Sequence, residues 1–106
     1  MNALSKITLP RTAFQLGVYF LIEKHPDLMP RQIGVLMQCA EGMQTVRGLA
    51  ATLNISKPAV TRATDKLEEL GMVRRAIDKK DRRSVNISIT PKGFGFLEKL
   101  YRAMEV

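Results

Sequence analysis

One cysteine and one histidine in 106 residues leave little from which to build a catalytic or metal centre. Cys39, standing alone, excludes an internal disulfide and any cysteine-rich zinc site, and its natural setting is a reducing compartment such as the bacterial cytoplasm. It flanks the apolar stripe of an expected helix, which suits a small buried hydrophobe better than a redox-sensing thiol. His25, between Lys24 and Pro26 in an expected surface loop, has no companion pattern for metal binding or general-base work. No glycine-rich phosphate loop is present, because Gly93 and Gly95 lack the further glycine, lysine and hydroxyl residue that such a loop requires. Nor is there a long hydrophobic run. Residues 13–22, AFQLGVYFLI, follow Lys6 and Arg11 as a signal peptide's core follows its basic region, but Glu23, Lys24, His25 and Pro26 come next without a small-residue cleavage site. The run is also too short to span a bilayer. Accordingly, no enzyme activity, metal, cofactor or membrane association is expected.

Acidic residues are the other shortage: ten Asp and Glu stand against seventeen Lys and Arg, for a net charge of +7. The excess is local. Residues 57–92 hold ten basic and five acidic side chains, whereas residues 1–56 hold five and three, and residues 93–106 two and two. Charge gathered in one third of a chain is the footprint of a phosphate-binding surface, although a solvated basic face would produce the same composition. Length and composition describe one globular domain over residues 1–106, with 45% hydrophobic and 25% charged residues.

The pattern divides into a succession of short elements. A first helix is expected from about Arg11 to Lys24, with Pro10 near its start and Pro26 beyond its end. A second begins at Pro30, carries Ile33, Leu36, Met37 and Ala40 at helical spacing, and stops at Gly42. Met43 to Thr45 suits a brief strand. Thr45 then caps a helix over Val46 to Leu53, Asn54 and Ile55 make a turn, and Ser56 caps a helix ending at Leu70 with Gly71 as its left-handed stop. From Val73 onward the chain reads as a β-hairpin. Its return strand, Val85 to Thr90, alternates apolar and polar residues, and its tip carries Lys79, Lys80, Arg82 and Arg83 beside Asp78 and Asp81. Thr90 caps a last helix from Pro91, with Phe94, Leu97, Tyr101 and Met104 along one stripe.

A cationic hairpin behind two helices joined by a short turn is the sequence form of a winged helix-turn-helix, mainly α with a small β wing, and double-stranded DNA is its first expected partner. On a helical wheel Val60, Ala63, Thr64, Leu67 and Leu70 face the core, while Pro58, Thr61, Arg62, Asp65 and Glu69 lie opposite. Thr61 and Arg62 are therefore expected to read bases, and Ser56 and Lys57 to hold phosphates at the helix start. Asp65 can accept from cytosine, orient Arg62 or discourage wrong sequences.

The run from Thr45 to Gly93, TVRGLAATLNISKPAVTRATDKLEELGMVRRAIDKKDRRSVNISITPKG, resembles the winged helix-turn-helix of the MarR family of bacterial transcriptional regulators. The resemblance rests on the helix ending Leu67, Glu68, Glu69, Leu70, Gly71 and on Asp78, Asp81, Arg82, Arg83, Ile89, Thr90 and Gly93 in the wing. It implies that Arg83 enters a minor groove and that Asp81 steadies the wing tip by pairing with an arginine; a narrow minor groove concentrates negative potential and attracts arginine. It also implies a homodimer on a pseudo-palindromic operator, with a repressor expected and any small-molecule effector unknown.

Residues 1–25 are expected as an N-terminal dimer helix, 26–93 as the DNA-binding core and 94–106 as a C-terminal helix. On the first helix Phe14, Val18, Leu21 and Ile22 form one apolar stripe and Leu16, Tyr19 and Phe20 a second. One stripe suffices to dock on the core, so Leu16, Tyr19 and Phe20 are the expected dimer contact, unless both sides of the helix are buried within the subunit. The alternative function is a winged-helix module that binds protein, with weak or absent DNA affinity.

Overall fold

Among the described residues, four of the five helices start at a serine or threonine whose hydroxyl accepts a backbone N–H, as expected where orphan donors need partners. The computed structural model describes residues 12–105. In it α1 spans Ala13–Lys24, α2 Pro30–Ala40, β1 Gln44–Thr45, α3 Val46–Leu53, α4 Lys57–Glu69, β2 Val73–Ile77, β3 Val85–Ile89 and α5 Pro91–Ala103. Thr12, Thr45, Ser56 and Thr90 cap α1, α3, α4 and α5, and Thr12 forms a reciprocal box with Gln15. The expected start of α1 at Arg11, after Pro10, falls outside the described residues. Asn54, at φ 54°, ends α3 in the left-handed region that asparagine tolerates, and Gly71, at φ 75°, turns the chain after α4.

The wing is larger than a hairpin. β1 pairs with β3 in register Gln44 to Ile87, so three antiparallel strands lie in the order β1-β3-β2 and β2 is an open edge. Helices α2, α3 and α4 pack on this sheet and α5 joins the same core, burying Val35, Leu36, Leu49, Val60, Leu67, Met72, Ile87 and Leu97 to 2% exposure or less. Each contributes on the order of 1.5–3 kcal/mol through burial. Cys39 lies among them. The seam between wing and α5 is tight: the Thr90 N–H donates to the Met72 carbonyl at 3.0 Å, its hydroxyl donates to the Gly71 carbonyl at 2.6 Å, and Gly93 packs directly over Met72.

Two expectations need correction. Helix α1 docks on α5 through Gly17, Phe20 and Leu21: Gly17 is buried against Leu100 and Met104, and the Phe20 ring lies 6.3 Å from that of Phe96. Phe20 therefore faces its own subunit's core, and the proposed outward stripe of Leu16, Tyr19 and Phe20 is split. Leu16 is half-buried, Tyr19 half-exposed, and the most exposed apolar residues of the helix are Phe14 and Ile22. The reason is the missing side chain at Gly17. It lets α5 approach closely and brings Phe20 and Leu21, three and four residues on, to the same face. His25 is likewise not a simple surface residue. Its ring meets Phe96 edge-on at 4.6 Å, and burial together with Lys92 and Lys99 lowers its pKa.

Candidate nucleic-acid interface

Helix α4 has two unlike faces. Ser56 at its cap and Lys57, Thr61 and Arg62 in its amino half are exposed, whereas Ala59, Val60, Ala63, Thr64 and Leu67 are buried against the core. Ser56 uses its oxygen to accept the Ala59 N–H at 3.2 Å, which leaves its hydroxyl hydrogen free to donate outward. The buried Thr64 hydroxyl donates to the Val60 carbonyl at 2.7 Å.

Two concavities flank the exposed half of α4. On the wing side, an open groove of about 380 Å³ is lined by Thr45, Val46, Arg47, Lys57, Thr61, Asp81, Arg83, Ser84 and Val85, so the nominated Lys57, Thr61 and Arg83 share one channel. Arg47, which sequence reasoning missed, joins them from the first turn of α3. On the other side, a groove of about 500 Å³ between α2 and α4 is lined by Met29, Pro30, Arg31, Gln32, Ala59, Arg62 and Ala63. Thr61 and Arg62, grouped as base readers on one face, therefore border different grooves, because consecutive helical residues are turned about 100° apart.

The wing tip is organised by two aspartates. Asp78 Oδ1 accepts the Lys80 N–H at 2.8 Å, Asp81 Oδ1 accepts the Arg83 N–H at 3.1 Å, and Asp81 Oδ1 lies 3.7 Å from Arg83 Nε. Side-chain turns of this kind restrain a short loop without a core. Lys79, Lys80, Arg82 and Arg83 are all exposed, Arg83 with 95% of its side chain accessible.

Asp65 points elsewhere than its nomination suggested. Its carboxylate lies 2.6 Å from Arg75 Nη1 on β2, and Arg75 also binds Glu68. Glu68 Oε1 accepts from Arg75 Nη2 at 2.7 Å and Nε at 3.2 Å, while Oε2 accepts the Arg75 backbone N–H at 3.2 Å. These hydrogen bonds hold the Glu68 carboxyl below the usual carboxylate range and raise the Arg75 guanidinium further above its own. A signal for this network was available. Arg75 shares a β2 face with Val73 and stands opposite Ile87, where alternation calls for an apolar residue.

This arrangement of a helix-turn-helix, a three-stranded wing and exposed cations on both defines a winged helix-turn-helix domain. The MarR family model matches residues 26–84, and the chain belongs to that family. Over 79 residues it is 36% identical to YkoM, an HTH-type transcriptional regulator of Bacillus subtilis; the match covers 74% of this chain and 51% of YkoM, so the chain spans about half that relative's length. The transcriptional regulator BldR from Sulfolobus solfataricus superposes with a TM-score of 0.71 at 34% identity, covering 79% of this chain and 60% of BldR. The structure of overoxidized AbfR bound to DNA gives 0.72 at 26% identity, covering 85% and 65% of the two chains. YkoM and BldR are transcriptional regulators. Among the described residues no helix is long and apolar enough to cross a membrane.

Proposed function

We propose that this chain binds double-stranded DNA sequence-specifically as a homodimer and represses transcription from a pseudo-palindromic operator in the bacterial cytoplasm. The observation that carries the reading is the wing-side groove, which gathers Arg47, Lys57, Thr61 and Arg83 from three separate elements along the exposed half of α4. The neighbour AbfR, solved bound to DNA, supports the same assignment. In this reading the amino half of α4 enters the major groove, with Thr61 and Arg62 at base edges and Ser56 and Lys57 on phosphate. Arg83 reaches into the minor groove, Lys79, Lys80 and Arg82 neutralise the backbone beside it, and Asp81 restrains the tip. Asp65 acts through Arg75 instead of touching a base. Residues 26–93 form the DNA-binding core, and residues 1–25 and 94–106 carry the helices that join two subunits. Phe14 and Ile22, 75% and 63% exposed on α1, supply the apolar surface for that junction.

Binding to duplex DNA across a salt series, followed by selection from a random-sequence library, tests this. The logarithm of the association constant should fall with the logarithm of salt at about 0.9 per phosphate contact. Arg62→Ala should cost about 1–3 kcal/mol on the selected site and relax one base position, whereas Lys57→Ala should weaken all sequences alike. A flat salt response would return the fold to a protein-binding role.

A further inference from the structure

The bond network between α4 and β2 lies outside both grooves, yet it joins the two elements that must reach DNA together. Arg75 carries four contacts at 2.6–3.2 Å, to Asp65 on one side and to both oxygens of Glu68 on the other. One of them is made by the backbone N–H. In the β2–β3 ladder the main chain of Met72 and of Asp78 pairs with Thr90 and Ser84, so the intervening odd residues, Arg75 among them, turn their N–H groups to the open edge of the sheet. Glu68 fills that edge position as a further strand would. The carboxylates come from one face of α4, three residues apart, and the guanidinium holds both as a planar fork, a geometry lysine cannot copy.

We propose that Arg75 is a positioning residue for DNA recognition, setting the distance and angle between α4 and the wing so that helix and wing engage adjacent grooves as one rigid body. The inference rests on the DNA-binding reading given above. Exposed ion pairs contribute little to global stability, and Asp65 and Glu68 keep 57% and 40% of their side chains exposed, so the network matters more for geometry than for folding. Its benefit is intramolecular. Once α4 is bound, a wing held at the correct offset meets its groove at high effective concentration, and a loosely hinged wing does not.

Two measurements on the full chain test this, using the duplex selected from a random library as probe. Arg75→Met should weaken binding about tenfold in the wild-type background but less than about twofold when Arg83→Ala has already removed the wing contact, since coupled residues are non-additive. An equal loss in both backgrounds would show that Arg75 supports the fold or touches DNA itself, and would overturn the proposal. Glu68→Ala removes a negative charge near DNA, so charge alone predicts tighter binding to every duplex. A freed wing predicts that the preference for the selected duplex over a random one falls, again about tenfold. An unchanged or increased preference would refute the role, whether or not Arg75→Met folds. A wild-type chain that binds no duplex at low salt would overturn the DNA-binding reading itself, whereas one that binds with an additive cycle would overturn only the role of Arg75.

Discussion

Two glycines in the first turns of α5, two residues apart, should respond to alanine with opposite sign. At Gly93 an added Cβ would lie 2.2 Å from the Met72 carbonyl oxygen and 2.9 Å from Ile89 Cγ1. The first approach is roughly 1 Å shorter than a carbon tolerates against a carbonyl oxygen. The obstacle is backbone, and the same carbonyl accepts the Thr90 N–H, so relief requires α5 to lift from the start of β2. Overpacking costs about 1–3 kcal/mol and loss of the Thr90 bond about 1, against a gain of about 1 from replacing glycine in a helix. The net loss is about 1–3 kcal/mol, or roughly 5–20 °C in melting temperature for a domain of this size. At Gly95 nothing lies within 4 Å of the added atom. There the helix-propensity gain stands alone and should stabilise by about 0.5–1 kcal/mol. Thermal and urea unfolding at one fixed protomer concentration decide the matter, since the stability of the proposed dimer would depend on concentration. A Gly93→Ala protein as stable as the wild type would refute the packing described for the wing and α5.

Burial raises the Cys39 thiol to about 11 from an ordinary 9.0, so the folded state keeps its proton where the unfolded chain has lost it. The sign follows: stability from this group is complete below pH 9 and is lost as pH rises to 11, by about 2–3 kcal/mol in all. Urea midpoints should therefore fall more steeply over that range in the wild type than in Cys39→Ala; parallel profiles would place the thiol in contact with solvent. On α1, Phe20→Glu should destabilise the subunit by about 3 kcal/mol or more, because the charge would sit against Phe96. Ile22→Glu should leave the subunit folded and split the proposed dimer in sedimentation, and an Ile22→Glu protein that remained dimeric would move the junction to another surface. At the left-handed end of α3, Asn54→Gly should be tolerated within a few tenths of a kcal/mol, whereas Asn54→Val should cost about 1–2 kcal/mol in chemical denaturation.

What could be read directly was whatever is encoded within a few residues. Thr45, Ser56 and Thr90 marked helix starts because a hydroxyl meets an N–H three positions on, and Gly71 marked an end because only its backbone turns left-handed without strain. The buried face of α4 followed from its period, and the wing from alternation and charge. Rotation of α1 did not follow. Large apolar residues lie all around that helix, and the contact point is the absence of a side chain at Gly17, whose meaning depends on Leu100 and Met104 more than eighty residues away. Arg75 escaped for a related reason. Its partners are seven and ten residues back, on a different element, and only the packing of β2 against α4 brings them within bonding distance. The sequence by itself thus determined the elements, the caps and the basic character of the α4 and wing region, since periodicity, capping and charge act locally. Only the tertiary structure decided which side of α1 is inward, that Arg47 joins Lys57 and Arg83 in one groove, and that Asp65 is committed to Arg75, because each depends on distances between elements that no local rule sets.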